Sequence, residues 1–264
     1  GHRLHGNPYY LCSWLAPGGG APTEELAELN NVPVSRRDIA TLRPGEWLND
    51  EVINFYMELL KQRASADMSL GDGKRFPKCH IFSTMFYPKL MQNATFDYSR
   101  VRRWTMAKKM AHGDVFGMDL VLVPIHCNGN HWTLAVINFV DKRFEYHDSL
   151  RGSGRHVIKN LRDWLRKESA DKRKCEWEGW EEIAGHPNDG EWRNGWSEKE
   201  WERGIPQQRN GFDCGVFMCK NADYHARDGL LNFTQADIDY FRRRIVLEIR
   251  NCQLVDDDPP PGAA

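Results

Sequence analysis

At 264 residues, with 41% hydrophobic and 28% charged side chains, the chain has enough apolar content to bury the core of one domain or two small ones. A formal net charge of −1 argues against a nucleic-acid-binding domain built on a broad basic surface. No apolar run approaches the ~20 residues that span a bilayer, and no secretory signal is visible. Opening on Gly1 rather than Met, the chain is expected to be part of a longer protein. Its local basic clusters, Arg100–Arg103 with Lys108-Lys109 and Arg242–Arg244, read as solvated helix faces. Cysteines stand at 12, 79, 127, 175, 214, 219 and 252, an odd number with no C-x-x-C pair. That is no disulfide framework, and free thiols point to a reducing compartment, nucleus or cytoplasm.

In chain order, residues 1–22 read as a poorly ordered arm with Gly18-Gly19-Gly20, followed by a short helix from Thr23. Val34 to Leu42 reads as a short strand entering a Pro44-Gly45 turn. Asn49 or Asp50 caps a core helix whose apolar stripe is Val52, Ile53, Tyr56, Leu59 and Leu60. Trp47, just outside that cap, reads on the residues alone as a staple packing on the helix. After a polar loop over 64–75, Cys79–Ser83 reads as a strand, and Thr84–Gln92 and Tyr98–Lys109 as helices.

Asp119–His126 is a nearly continuous apolar run of strand length, fit for a sheet centre. His131–Phe139 and Arg143–Ser149 follow as strands joined by the tight Asp141-Lys142 turn, so the three form an antiparallel meander. Register alone then places His131, which opens one strand, beside Asp148, which closes the next. His126, Cys127 and His131 resemble a metal cluster but lack ligands to complete four, so no metal is expected. A helix over Ser153–Lys172 buries Val157, Ile158, Leu161, Trp164 and Leu165. Residues 175–204 carry five tryptophans among Gly, Asn and acidic residues without a period. They read as an insertion that packs on the domain, or otherwise as a partner patch. A final helix runs from Thr234 to about Cys252, and residues 255–264 form a disordered tail by composition.

The most informative stretch is Pro206 to Cys219. Asn210-Gly211 signals a turn at positive φ, Asp213 an N-cap, and Val216, Phe217, Met218 and Ala222 a helix. Cys214 falls in the first turn, where unpaired N–H groups and the helix dipole favour a thiolate. Cys219 points to another face and reads as a buried small residue. Three roles are then available: Cys214 as nucleophile, His131 as general base, and Asp148 to orient the imidazole. Gln208 is placed to donate to an oxyanion beside the Cys214 N–H, or merely to tie down its loop. This is acyl-transfer machinery, and peptide or isopeptide hydrolysis is its simplest use.

Four blocks in order, Trp47-Leu48-Asn49-Asp50 with Asn54-Phe55-Tyr56, His131-Trp132, Tyr146-His147-Asp148-Ser149, and Pro206-Gln207-Gln208 through Asp213-Cys214-Gly215, give the chain its family likeness. It resembles the Ulp/SENP cysteine proteases, which process the modifier SUMO and remove it from conjugates, over about residues 34–250. The resemblance implies an α+β, papain-like fold of the Ulp type: a central mixed sheet flanked by helices, with the catalytic domain over 23–254. It implies Cys214, His131, Asp148 and Gln208 as catalytic residues and Trp47, Trp132, Asp50, Asn210 and Gly211 as substrate-binding ones. Tryptophans matching Trp47 and Trp132 flank a narrow channel in the family. Only glycine lets a backbone pass between two indole faces, so such a slot selects a Gly-Gly end. The expected activity is thiol-dependent cleavage after the Gly-Gly of SUMO through a thioester, with neither cofactor nor metal. The expected partners are SUMO and its conjugates, with no nucleic acid and no membrane segment, and the domain is expected to be a monomer. Rival readings are a protease for another ubiquitin-like modifier and a non-catalytic SUMO-binding module.

Overall fold

The computed structural model describes residues 20–65, 76–106, 114–177 and 205–255. The expected arm up to Gly19, the Trp-rich insertion beyond Trp177, and the tail from Asp256 lie outside the described residues. The helix expected from Thr23 is instead a hairpin: β1 (Glu25–Leu29) pairs antiparallel with β2 (Val32–Ser35). Its two-residue loop, Asn30-Asn31, has φ of 52° and 62°. Asparagine tolerates that left-handed backbone, which matches the twist of the flanking strands.

The strand expected from Val34 to Leu42 stops at Ser35, where α1 (Arg36–Ala40) starts. Ser35 and Asp38 form a capping box, with the Ser35 N–H donating to Asp38 Oδ2 at 2.8 Å. A helix start was therefore written inside the segment that alternation assigned to a strand.

The expected core helix is α2 (Asp50–Ser65), capped by Asn49, whose Oδ1 accepts from the Val52 N–H at 3.1 Å. All five expected stripe residues are buried, and Phe55 and Met57 join them. Beyond β3 (Cys79–Ile81), the helix expected over Thr84–Gln92 shrinks to α3 (Phe86–Leu90). Asn93 and Ala94 beyond it have φ of 52° and 59°, which an α-helix cannot contain. Tyr98–Lys109 is no long helix either: a single 3₁₀ turn at Tyr98–Arg100 is followed by turns to Thr105, and 107–109 lie outside the described residues.

The meander forms as expected from β4 (Leu120–Cys127), β5 (His131–Asn138) and β6 (Arg143–His147). With β3 parallel to β4, the sheet is mixed and ordered β3-β4-β5-β6. Both faces of its centre are covered, which is why β4 reads as a continuous apolar run. Leu120, Leu122, Leu134 and Val136 pack with α2, α5 (Cys214–Ala226) and α6 (Ile238–Asn251). Val121, Val123, Ile125, Ala135 and Ile137 pack on the other face with α3 and α4 (Arg155–Lys172), whose five expected apolar residues are all buried. The fold is α+β with helices on both faces of a mixed sheet, as the resemblance implied.

Arg242 and Arg244 do not lie on a solvated face. Both are buried in α6, Arg242 on Asp213 and Arg244 on Glu248. Burial of a guanidinium requires such partners: Glu248 lies one turn along α6 from Arg244, at i,i+4 spacing, whereas Asp213 comes from the turn before α5, 29 positions away in sequence.

Candidate active site

The site is assembled where α5 starts, between the open ends of β4–β6 and the loop before α2. Leu134 faces His147 across the β5–β6 pair, so Asp148, the next residue, comes beside the start of β5. His131 Nε2 and Asp148 Oδ1 are 2.7 Å apart. Asp148 also accepts from the backbone N–H of Leu150 at 2.7 Å and of Gly152 at 3.1 Å, which hold its carboxylate in place. With Nε2 committed to Asp148, the Nδ1 side of the ring remains for Cys214. The imidazole pKa is raised from the ordinary 6.5 to about 10, first by the hydrogen bond to Asp148 and next by that to Cys214, against the opposing effect of desolvation.

Cys214 is the first residue of α5 and is only 1% exposed, reached through the cleft. The first helical bonds run from the Val216 and Phe217 N–H groups to the Asp213 carbonyl, at 2.9 and 3.1 Å. The N–H groups of Cys214 and Gly215 precede them, among the donors that a helix start leaves for other acceptors. Gly215 is required by space: a Cβ there would stand 2.8 Å from Leu48 Cβ and 3.4 Å from Trp132 Cδ1. The close approach brings the start of α5 against the cleft floor.

Asp213 does not cap α5 with its side chain, contrary to the sequence expectation. Its Oδ1 accepts from Arg242 Nη2 at 2.6 Å, and its Oδ2 from Asn210 Nδ2 at 2.6 Å and Gln235 Nε2 at 2.7 Å. A buried guanidinium outcompetes the local N–H groups for this carboxylate. Nor does Asn210-Gly211 turn through positive φ. Asn210 Oδ1 instead accepts from the N–H groups of Phe212 and Asp213, both at 3.2 Å, which shapes the turn by side chain rather than by left-handed backbone.

Gln208 is buried one loop away. Its Oε1 accepts from Ser149 Oγ at 2.6 Å, its own N–H donates to the Ser149 carbonyl at 3.1 Å, and its Nε2 donates to the Asn210 carbonyl. Ser149, adjacent to Asp148, thus fixes which way the amide faces. Sequence reading placed Ser149 only at a strand end, and its local pattern holds no sign of this tether.

A cleft of 380 Å³ lies over Cys214, lined by Trp47, Asp50, His126 and Trp132 among others. Trp132 is buried, donates from Nε1 to the Leu48 carbonyl at 3.0 Å, and stacks on His126 with centroids 4.1 Å apart and planes 11° from parallel. Trp47 is 53% exposed, so it is not a staple buried against α2; its Nε1 donates to the Gly211 carbonyl at 2.9 Å. Of the residues singled out from sequence, His131 and Asp148 are thus joined side chain to side chain, and Cys214 acts on the same imidazole from the start of α5. Trp47, Trp132 and Asp50 share the cleft, and Gln208, Asn210 and Gly211 form the loop leading into α5. His126 and Cys127 are drawn apart: His126 lies on Trp132, and Cys127 Sγ lies 3.3 Å from the Tyr146 hydroxyl.

A cysteine–histidine–carboxylate set at a helix start, on a mixed sheet between helical layers, defines a cysteine-protease type of catalytic domain. Residues 46–254 match the model of the Ulp1 protease family, C-terminal catalytic domain. The chain belongs to this family. It is 39% identical over 221 residues to Ubiquitin-like-specific protease 1A of Arabidopsis thaliana, covering 83% of this chain and 40% of that protein. To Sentrin-specific protease 2 of Mus musculus it is 40% identical over 240 residues, covering 91% and 36%. The chain therefore spans well under half the length of these two relatives. Among solved structures, the C-terminal Ulp1 protease domain in complex with Smt3, the yeast ortholog of SUMO, superposes with a TM-score of 0.67 at 26% identity, covering 95% of this chain and 96% of that one.

Proposed function

We propose that the domain is a SUMO-specific thiol protease, cleaving peptide and isopeptide bonds after the C-terminal Gly-Gly of the modifier. The observation that carries this reading is the placement of Cys214 beside His131, itself held by Asp148 at 2.7 Å, at the base of a tryptophan-lined cleft. The match to proteases named for sentrin and ubiquitin-like substrates supports the choice of modifier.

In this mechanism the Cys214 thiolate attacks the carbonyl carbon of the terminal glycine. The oxyanion forms where the Cys214 N–H and the Gln208 amide can donate. His131 gives its proton to the leaving amine, the C–N bond breaks, and a thioester remains on Cys214. Water then attacks the thioester with His131 taking its proton, and the thiolate leaves. Trp47 and Trp132 would pass the Gly-Gly segment and reject larger side chains. The six described cysteines are all free, which supports a reducing compartment such as nucleus or cytoplasm.

The test is hydrolysis of a C-terminal fluorogenic SUMO derivative beside ubiquitin and other modifiers, with wild type and Cys214→Ala. Turnover of SUMO that vanishes in the variant is expected. Turnover of another modifier would move the substrate and keep the chemistry, whereas tight SUMO binding with no turnover would make the domain a binding module.

A further inference from the structure

On the opposite side of β6 from Tyr146, three ligand-type atoms converge that the proteolytic site does not use. Glu145 and His147 alternate onto the same face of β6, and His225 reaches them from the last turn of α5. His147 Nε2 is 2.9 Å from His225 Nε2 and 3.1 Å from Glu145 Oε2, and His225 Nε2 is 3.7 Å from the same oxygen. Those three separations put the atoms on a circle of about 1.9 Å radius. An ion just off that plane is about 2.0–2.1 Å from all three, the bond length of zinc to imidazole and carboxylate.

Proton bookkeeping favours a shared cation over a hydrogen-bonded cluster. One proton can bridge the two nitrogens or point from His147 to Glu145, but it cannot be aligned with both. A dication is shared by all three lone pairs. The other carboxylate oxygen, Oε1, accepts from Arg143 Nε at 2.7 Å, which orients Glu145 and leaves Oε2 directed at the imidazoles. Glu145 and His147 are buried and His225 is 14% exposed at its side chain, so water can complete the coordination.

We propose that Glu145, His147 and His225 form a mononuclear site for a divalent transition metal, zinc above all, that clamps the end of β6 to the end of α5. Two imidazoles and one carboxylate suit zinc or cobalt rather than magnesium or calcium, which take oxygen ligands. The clamp joins the strand that leads into Asp148 to the helix that begins with Cys214. His225 is eleven residues along α5 from Cys214, about 16 Å at the helical rise, so the ion braces the site rather than touching substrate. The proposal stands independently of the protease reading.

The test is Co²⁺ and Zn²⁺ binding to the chelator-stripped full chain carrying Cys214→Ala, which removes the nucleophile as a competing soft ligand. One equivalent of Co²⁺ should give visible d–d absorption without a thiolate charge-transfer band, and Zn²⁺ should displace it. Zinc at a hundredfold excess over its Kd should raise Tm by about 5–10 °C. His225→Ala should lose both responses while keeping the far-UV circular dichroism of its parent. Absence of stoichiometric uptake, a thiolate band, or an unchanged spectrum in His225→Ala would overturn the proposal. Should that variant not fold, X-ray absorption at the zinc edge of the unsubstituted site decides the matter: two imidazoles and oxygen support it, and sulfur in the shell refutes it.

Discussion

The imidazole of His131 shows how a single hydrogen bond sets the behaviour of a residue. Its pKa is raised from 6.5 to about 10, chiefly by Asp148. A raised histidine contributes stability that is complete below pH 6.5 and lost as pH rises through about 10, where the imidazolium deprotonates. Turnover by a thiolate–imidazolium pair should fall over the same alkaline interval. Asp148→Asn keeps an acceptor for Nε2–H but removes the charge, so the alkaline limb of kcat/KM should move down by about 1–3 pH units. An unmoved limb would mean that another group governs it. Trp47 offers a second residue-scale test, since it is exposed and bonds only to the Gly211 carbonyl in the hydrogen-bond network described above. Trp47→Ala should raise KM about tenfold, equivalent to ~1.4 kcal/mol, with Tm unchanged. Titration of kcat and KM together with calorimetry separates that result from a loss of fold.

At the scale of elements, α6 organises the site from a distance through Arg242, which is 1% exposed. Besides Asp213, its guanidinium donates to the carbonyls of Thr41 at 3.2 Å, Arg43 at 3.0 Å and Glu46 at 2.8 Å. One side chain therefore ties the turn before Cys214 to the loop that carries Trp47. Arg242→Met would strand the Asp213 carboxylate in a buried setting, a loss of about 3–5 kcal/mol. Calorimetry should show Tm lower by about 6–20 °C, and KM should rise as the Trp47 loop loosens. Lysine should not rescue, because a point charge cannot serve one carboxylate oxygen and several carbonyls in a fixed fork. The same scale shows why the Arg242–Arg244 cluster misleads in one dimension. Spacing places Arg242 on α6, but Asp213 and Glu46 reach it only through the packing of α6 on α5 and on the α1–α2 loop.

Across the whole molecule the sheet separates two cores. On the face away from α5, Trp164 of α4 is fully buried, edge-on to Phe82 and Phe86 at 5.6 and 5.3 Å, while those two rings stack at 3.6 Å. Trp164→Ala should cost about 3–5 kcal/mol through the cavity it leaves. Because β4 and β5 intervene between this layer and Cys214, Tm should drop while kcat per folded molecule stays at the wild-type value. Active-site titration at a temperature well below the transition checks this, and a matching fall in kcat would show that the layers are coupled.

By itself the sequence determined the meander, the buried stripes of α2 and α4, and the position of Cys214 at a helix start. Each of these follows from local periodicity or capping, physics that acts within a few residues. It also brought His131 toward Asp148, because two strands joined by a tight turn leave little freedom of register. The hairpin at β1–β2 was equally local, but its signal lay in two adjacent asparagines that accept positive φ rather than in alternation. Only the tertiary structure decided the rest. It exposed Trp47 at the mouth of the cleft and gave the Asp213 carboxylate to Arg242 in place of the α5 cap. It turned the Gln208 amide with Ser149, and it brought His225 onto Glu145 and His147. Those pairings join residues from 29 to 80 positions apart, and a buried polar group takes its partner from whatever the packed core places beside it.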